Sequence, residues 1–170
     1  MSADLISAIR AHRNGDLERA EAGYRKVLAA SPNDPDALHY LGVLLHRRGD
    51  SEGGARLVRK AIARSPDYAD AHKNLGNILA ESGALEKAEK CYRKAIALDE
   101  TDADAYSNLS IVLRHQKRHE AAVEAGLNAA NHGADNPVAW LVFGHALKRA
   151  GMHESAVAAY YRALELDRGM

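Results

Sequence analysis

The chain has 170 residues, with 23 Lys and Arg against 23 Asp and Glu, so its formal net charge is zero. That balance argues against general nucleic-acid binding, which runs on excess positive charge. The single cysteine, Cys91, excludes an intrachain disulfide and a thiolate zinc site.

The chain is self-similar at a spacing of 34 residues, one fifth of its length. Residues 1–34 open with MSADLISAIRAHRNGD, which has helical periodicity and no apolar leader core. A break at Gly15 precedes a second helix carrying Ala20 and Tyr24. Residues 35–68 repeat the plan: Asp34-Pro35-Asp36 starts a helix, Gly49 breaks it, and Gly54 takes the place of Ala20. Residues 69–102 are the clearest copy. Ala71, Leu75, Ile78 and Leu79 mark one face of a first helix, and Leu85, Ala88, Tyr92, Ala95 and Ile96 mark a face of the second. Ser82-Gly83 separates them, glycine being suited to the left-handed conformation after a helix end.

Residues 103–136 depart from the plan. Lys117 replaces the turn glycine, Ala134 replaces the closing proline, and Gly126 stands where Tyr24, Tyr92 and Tyr160 occur in other copies. Glycine inside a helix costs about 1 kcal/mol relative to alanine. The missing ring leaves a gap for a neighbour to fill, so this repeat is expected to be the most distorted. Residues 137–170 return to the plan with Gly151 and Ala156. Their last helix carries Val157, Tyr160, Tyr161, Leu164 and Leu166, more apolar faces than one partner helix covers. Either a further segment or a second copy is expected to cover them.

Small residues at the eighth and twentieth positions, such as Gly42 with Gly54, are expected to let paired helices approach closely. Acidic residues at helix starts, such as Asp34 and Asp102, are expected to cap free amides. Strand signals are absent. The fold expected is all-α, with ten helices.

The runs NLGNILAESGALEKAEKCYRKAIALD and YLGVLLHRRGDSEGGARLVRKAIARSP resemble the tetratricopeptide repeat. The resemblance covers one domain of five repeats: 1–34, 35–68, 69–102, 103–136 and 137–170. It implies a right-handed α-solenoid of antiparallel helix pairs, whose usual role is to bind peptides or partner proteins in its concave groove. Asp4 and Ser7 stand where the family has bulky apolar residues, as in a worn N-terminal cap.

The family's geometry puts certain first-helix positions on the groove wall. They are Leu5, Ile6, Ile9, His12 and Arg13 in the first repeat, and His39, Tyr40, Val43, His46 and Arg47 in the second. The third offers Asp70, Lys73, Asn74, Asn77 and Glu81, and the fourth Asp104, Ser107, Asn108, Ile111, Arg114 and His115. The fifth offers Leu141, Val142, His145, Lys148 and Arg149. The candidate ligand-binding residues are Lys73, Asn74, Asn77, Asn108, His39, Tyr40, Arg47, Arg114 and His145. Asn74 and Asn108 share one repeat position, and carboxamides both donate and accept, as a clamp on a peptide backbone requires. The pair is similar to the asparagine ladder in the repeat region of O-linked N-acetylglucosamine transferases. Lys73, Asn77 and Asn108 match three positions of the carboxylate clamp of chaperone cofactors, while Val138 and Val142 occupy the other two. One edge is basic, with His12-Arg13, His46-Arg47, Arg114-His115 and Lys148-Arg149, interrupted by Ala80-Glu81. It is either a binding feature or the ordinary preference of solvated helix C-termini for cations. The ligand expected is an extended or helical peptide with apolar anchors and a polar or acidic centre. Neither Asn74 nor Asn108 is expected in the core.

The sequence has no HExxH, Walker or GxSxG pattern. His115 and His119 are four apart, but the expected turn at Lys117 falls between them. No catalytic residue, metal or cofactor is expected, nor is a membrane span, since no window approaches about 18 apolar residues. A cytoplasmic location is the default expectation. Three readings follow: a protein- or peptide-binding scaffold, the substrate-recruiting arm of a larger transferase, and a self-assembling structural protein joined through the end of the fifth repeat.

Overall fold

A computed structural model describes residues 2–168. Among the described residues the fold is all-α: α1 (Ala3–Arg13), α2 (Leu17–Ala30), α3 (Pro35–Arg47), α4 (Ser51–Arg64), α5 (Ala69–Glu81), α6 (Leu85–Leu98), α7 (Ala103–His115), α8 (His119–His132), α9 (Pro137–Arg149) and α10 (His153–Arg168). Met1 of the first expected repeat, and Gly169 and Met170 of the fifth, lie outside the described residues. The chain divides into two compact units, residues 1–78 and 79–170, with the division inside α5. In the N-terminal unit α1 packs on α2 and α3 on α4 as antiparallel pairs. In the C-terminal unit α7 packs on α8 and α9 on α10, with α8 also against α9.

The helix borders follow from local chemistry. Asp34 accepts from the Ala37 amide at 2.8 Å and Asp102 from that of Ala105 at 3.0 Å. Asp16 and Asp50 likewise accept from Arg19 and Gly53, at 3.1 and 2.8 Å. Each satisfies one of the amides that a helix start leaves free. At the inter-helix turns, Gly15, Gly49, Gly83 and Gly151 have φ between +77° and +95°, and Lys117 has φ +62°. The residue after each of these donates its amide back to an aligned carbonyl: Asp16 to Ala11, Asp50 to Leu45, Ala84 to Leu79, Arg118 to Leu113 and Met152 to Leu147, at 2.9–3.0 Å. This is the hydrogen-bond closure of a left-handed helix end. The aligned apolar position therefore contributes a side chain to packing and a carbonyl to the turn.

The small residues permit backbone approach. A Cβ on Gly54 would stand 2.6 Å from the Gly42 carbonyl oxygen, and one on Gly42 would stand 2.9 Å from that of Gly54. Ala88 and Ala156 are buried, as the repeat requires. In the fourth repeat Ser110 takes the place of Gly42, and its hydroxyl donates to the Ala122 carbonyl at 2.7 Å. The distortion expected there does not occur. Helices α7 and α8 have 13 and 14 residues, the same lengths as α3 and α4. The Phe143 ring fills the space beside Gly126, where a Cβ would already meet Phe143 Cα at 3.1 Å.

Candidate peptide-binding site

In the N-terminal unit a cavity of about 450 Å3 is lined by Ile9, His12 and Arg13 of α1, Tyr24 of α2, His39, Tyr40, Val43 and Arg47 of α3, and Asn74 of α5. The Tyr24 and Tyr40 rings stack, with centroids 5.9 Å apart and planes 11° from parallel. Tyr24 is fully buried, so the half-buried Tyr40 ring stacked on it forms the apolar floor with Ile9 and Val43. His12 links floor and rim: its Nδ1 lies 3.1 Å from the Tyr24 hydroxyl and its Nε2 3.5 Å from Arg47 Nη1. A guanidinium only donates, so Nε2 accepts and the proton sits on Nδ1. Burial, then the charge of Arg47, holds the His12 pKa below its ordinary value. Burial pushes the Tyr24 phenol up to about 12, so it keeps its proton at neutral pH.

Beside the floor runs a chain of bonded polar groups, half-buried except for His39 at its centre. His39 is 3 % exposed. Its Nε2 accepts from Asn74 Nδ2 at 2.8 Å, which leaves Nδ1–H to donate to the Tyr68 hydroxyl oxygen at 2.9 Å. Tyr68 in turn donates to Asp36, and its pKa is raised by burial and by that bond. Asn74 Oδ1 accepts from Asn77 Nδ2 at 3.4 Å. Donation thus runs in one direction: Asn77 to Asn74, His39, Tyr68 and Asp36. Burial drops the His39 pKa to about 4, opposed by Asp70 and Asp36 and reinforced by Lys73. Its imidazole is neutral at physiological pH.

The nine candidate residues separate. His39, Tyr40, Arg47 and Asn74 come together around the N-terminal cavity. Lys73 is half-buried beside them, with Nζ 3.2 Å from Asp70. Arg114 and His145 line a different cavity, wholly in the C-terminal unit, of about 400 Å3. Asn108 is half-buried on α7. His39 and Asn74 both line the cavity, but both ring nitrogens of His39 are bonded inside the unit, and Asn74 is tied to the core through His39. Leu5, Ser107 and Val142, read as wall residues, are buried, and His46 turns to the Ser51 hydroxyl at 2.9 Å. Tyr24 and Tyr68 were absent from the candidates. The repeat marks Tyr24 as core, and nothing in the sequence signals that its hydroxyl reaches a groove residue.

His115 ends α7 and His119 begins α8, so the turn separates them. Among the described residues no group of three or more His, Cys, Asp and Glu is placed to hold a metal ion. No helix among them is long and apolar enough to cross a membrane.

Models of the family described as Tetratricopeptide repeat match residues 69–102, residues 24–54 and 91–124, and residues 137–169. Comparison with curated proteins gives no significant match. Among solved structures, the chain resembles one described as the crystal structure of MamA, at 26% identity, over 99% of this chain and 96% of that chain, with a TM-score of 0.83. It shares its fold with MamA 41-end from Desulfovibrio magneticus RS-1, at 21% identity over 100% and 98% of the two chains, TM-score 0.84. It also shares its fold with the pilF protein of Pseudomonas aeruginosa, at 22% identity over 96% and 74%, TM-score 0.88.

Proposed function

Because the chain belongs to the tetratricopeptide-repeat family, we propose that it is a non-catalytic protein-binding module whose N-terminal cavity takes an extended peptide. One observation carries this reading: the half-buried Tyr40 ring, stacked on buried Tyr24, sits beneath the cations Arg13 and Arg47 with the neutral His12 beside them, and among the described residues no Asp or Glu lines the cavity. Such a site suits an apolar side chain next to an acidic group. Burying an apolar side chain on the Tyr40 ring is worth roughly 1.5–3 kcal/mol, and a charge-assisted contact to the exposed Arg47 or Arg13 about 0.7–1.4 kcal/mol. Asn74 spends one amide hydrogen on His39; its second hydrogen and a carbonyl lone pair are the groups that would hold a peptide backbone. The asparagine clamp thus reduces here to Asn74, with Asn77 supporting it. The test is a peptide-array screen with the whole chain, followed by the same array with Tyr40→Ala and Arg47→Glu variants. Loss of the same spots in both variants supports the cavity. Unchanged spots reject it.

A second reading concerns α10. Val157, Tyr161 and Leu164 are 52, 65 and 48 % exposed. Helix α8, at the same place in its repeat, is covered by α9. A helix from a second copy of the chain would cover α10 in the same way. Light scattering over a concentration series, with Tyr161→Glu and Leu164→Glu variants, tests this: a monomer at all concentrations removes it.

A further inference from the structure

The C-terminal unit holds a cavity of about 400 Å3 lined by Arg114, His115, Lys117, His145, Lys148 and Arg149. Every lining residue is cationic or a histidine. Cations near a helix C-terminus are favoured by the backbone dipole, and Arg114, Lys148 and Arg149 lie in the last turns of α7 and α9. Two further facts are not explained that way. Among the described residues no carboxylate pairs with Arg114, Lys117, Lys148 or Arg149, although Arg118, one residue away, is bound by Glu89 at 2.8 Å. Lys117 occupies a left-handed turn position that glycine fills at the other four turns, with φ +62°. That conformation costs a residue with a side chain about 1–2 kcal/mol. The cost is borne at the one turn whose side chain adds to this cavity.

His145 is held in place from behind. Its Nδ1 lies 3.0 Å from the Tyr160 hydroxyl of α10, and the rings meet edge to face. The charges of Arg114 and Lys148, after burial, lower its pKa, which registers the positive potential inside the cavity.

We infer that this cavity is a second binding site, for a segment of several consecutive acidic residues in a partner protein, gripped by Arg114, Lys117, Lys148 and Arg149 with His145 as a positioned donor. Four separated cations fit several carboxylates better than one compact anion. Among the described residues no Phe, Tyr or Trp lines the cavity, so it lacks the large stacking platform of single-stranded nucleic-acid sites. The site lies wholly within the C-terminal unit and shares no residue with the N-terminal cavity. Its occupancy is linked to protonation. The groups facing His145 are Arg114 and His115 from α7, Lys117 from the turn, Lys148 and Arg149 from α9, and Tyr160 from α10. An acidic ligand offsets their charge and raises the His145 pKa, so binding tightens as pH falls toward 6.

The experiment is calorimetric titration of the whole chain with a hexaglutamate peptide, a hexaglutamine peptide and a single-stranded oligonucleotide, with the His145 ring followed by NMR. Hexaglutamate should bind and hexaglutamine should not, and the His145 pKa should rise on binding. An Arg114→Gln, Lys148→Gln variant should weaken hexaglutamate about five- to thirtyfold, the loss expected from two exposed charge pairs. Lys117→Gly should weaken it while raising the melting temperature, since the turn loses its strain. An Arg59→Gln, Arg64→Gln variant, which removes two exposed cations of α4 outside both cavities, should leave it unchanged. Equal binding of both peptides overturns the inference, as does tighter binding of the oligonucleotide. So does loss of hexaglutamate binding in an Arg13→Gln, Arg47→Gln variant with no loss in the Arg114→Gln, Lys148→Gln variant, which would place the acidic segment in the N-terminal cavity.

Discussion

Asn74 Nδ2 donates to His39 Nε2 at 2.8 Å, and this one bond fixes the proton of a buried imidazole on Nδ1. Asn74, which lines the cavity, thereby also ties α5 to α3. Asn74→Ala leaves the buried Nε2 without a partner and should cost about 1–3 kcal/mol. Urea unfolding monitored by circular dichroism measures it. A loss below about 0.5 kcal/mol would mean that water replaces the amide, as expected had Asn74 stood free in the groove.

The same imidazole makes stability depend on pH. The His39 pKa is about 4 in the fold, against about 6.5 in the unfolded chain. The unfolded state therefore binds more protons between these values, and stability falls as pH drops from about 6.5 toward 4. The loss is on the order of 3 kcal/mol. His12 and His145, whose pKa values are also lowered, act in the same direction. His39→Gln should flatten the pH dependence of the melting temperature over this range. An equally steep dependence in the variant would assign the effect to other groups.

Gly54 sets two helix effects against each other. Alanine is worth about 1 kcal/mol more than glycine in a helix interior. Yet its Cβ would stand 2.6 Å from the Gly42 carbonyl oxygen and 3.1 Å from His46 Cβ and amide nitrogen. Backbone cannot yield as a flexible side chain can, and overpacking costs about 1–3 kcal/mol. Gly54→Ala should therefore lower the melting temperature, and a rise would mean that α3 and α4 separate easily.

The backbone requirements were legible in the sequence, whereas the direction of particular side chains was not. A residue recurring every 34 positions at a turn or a close helix contact reports a constraint that its own atoms feel, so Gly15, Gly42, Gly54 and even Lys117 could be placed. His39 illustrates the other case. Its repeat position reads as wall, and its burial depends on Tyr68, 29 residues later, which supplies a hydroxyl for its Nδ1. Leu5 and Val142 roll into the core for a similar reason: an apolar side chain at the margin of a stripe turns toward whatever neighbour excludes water. The gap at Gly126 was legible, but not that Phe143, from the next repeat, would fill it.

That filling is itself testable. Phe143→Ala should open a cavity beside Gly126 and cost about 2–4 kcal/mol, at or below the range for fully buried phenylalanine because the ring is partly exposed. Tyr24 and Tyr92, the residues at the position of Gly126 in other repeats, are buried. Adding Gly126→Leu to Phe143→Ala should recover part of the loss in a denaturant melt. No recovery would mean that Phe143 acts through contacts other than the missing ring.

On the proposed function, the cavity of the N-terminal unit, floored by Tyr40, binds an acidic, apolar peptide segment. The most direct measurement is a fluorescence-anisotropy titration of an array-selected peptide against the wild type and an Arg13→Gln, Arg47→Gln variant, with thermal melts of both. Both arginines are exposed, so the melts should agree. An affinity loss of about ten- to a hundredfold is expected, from two charge-assisted contacts of roughly 0.7–1.4 kcal/mol each, together with a weaker dependence on salt. Equal affinities with equal melts would contradict it.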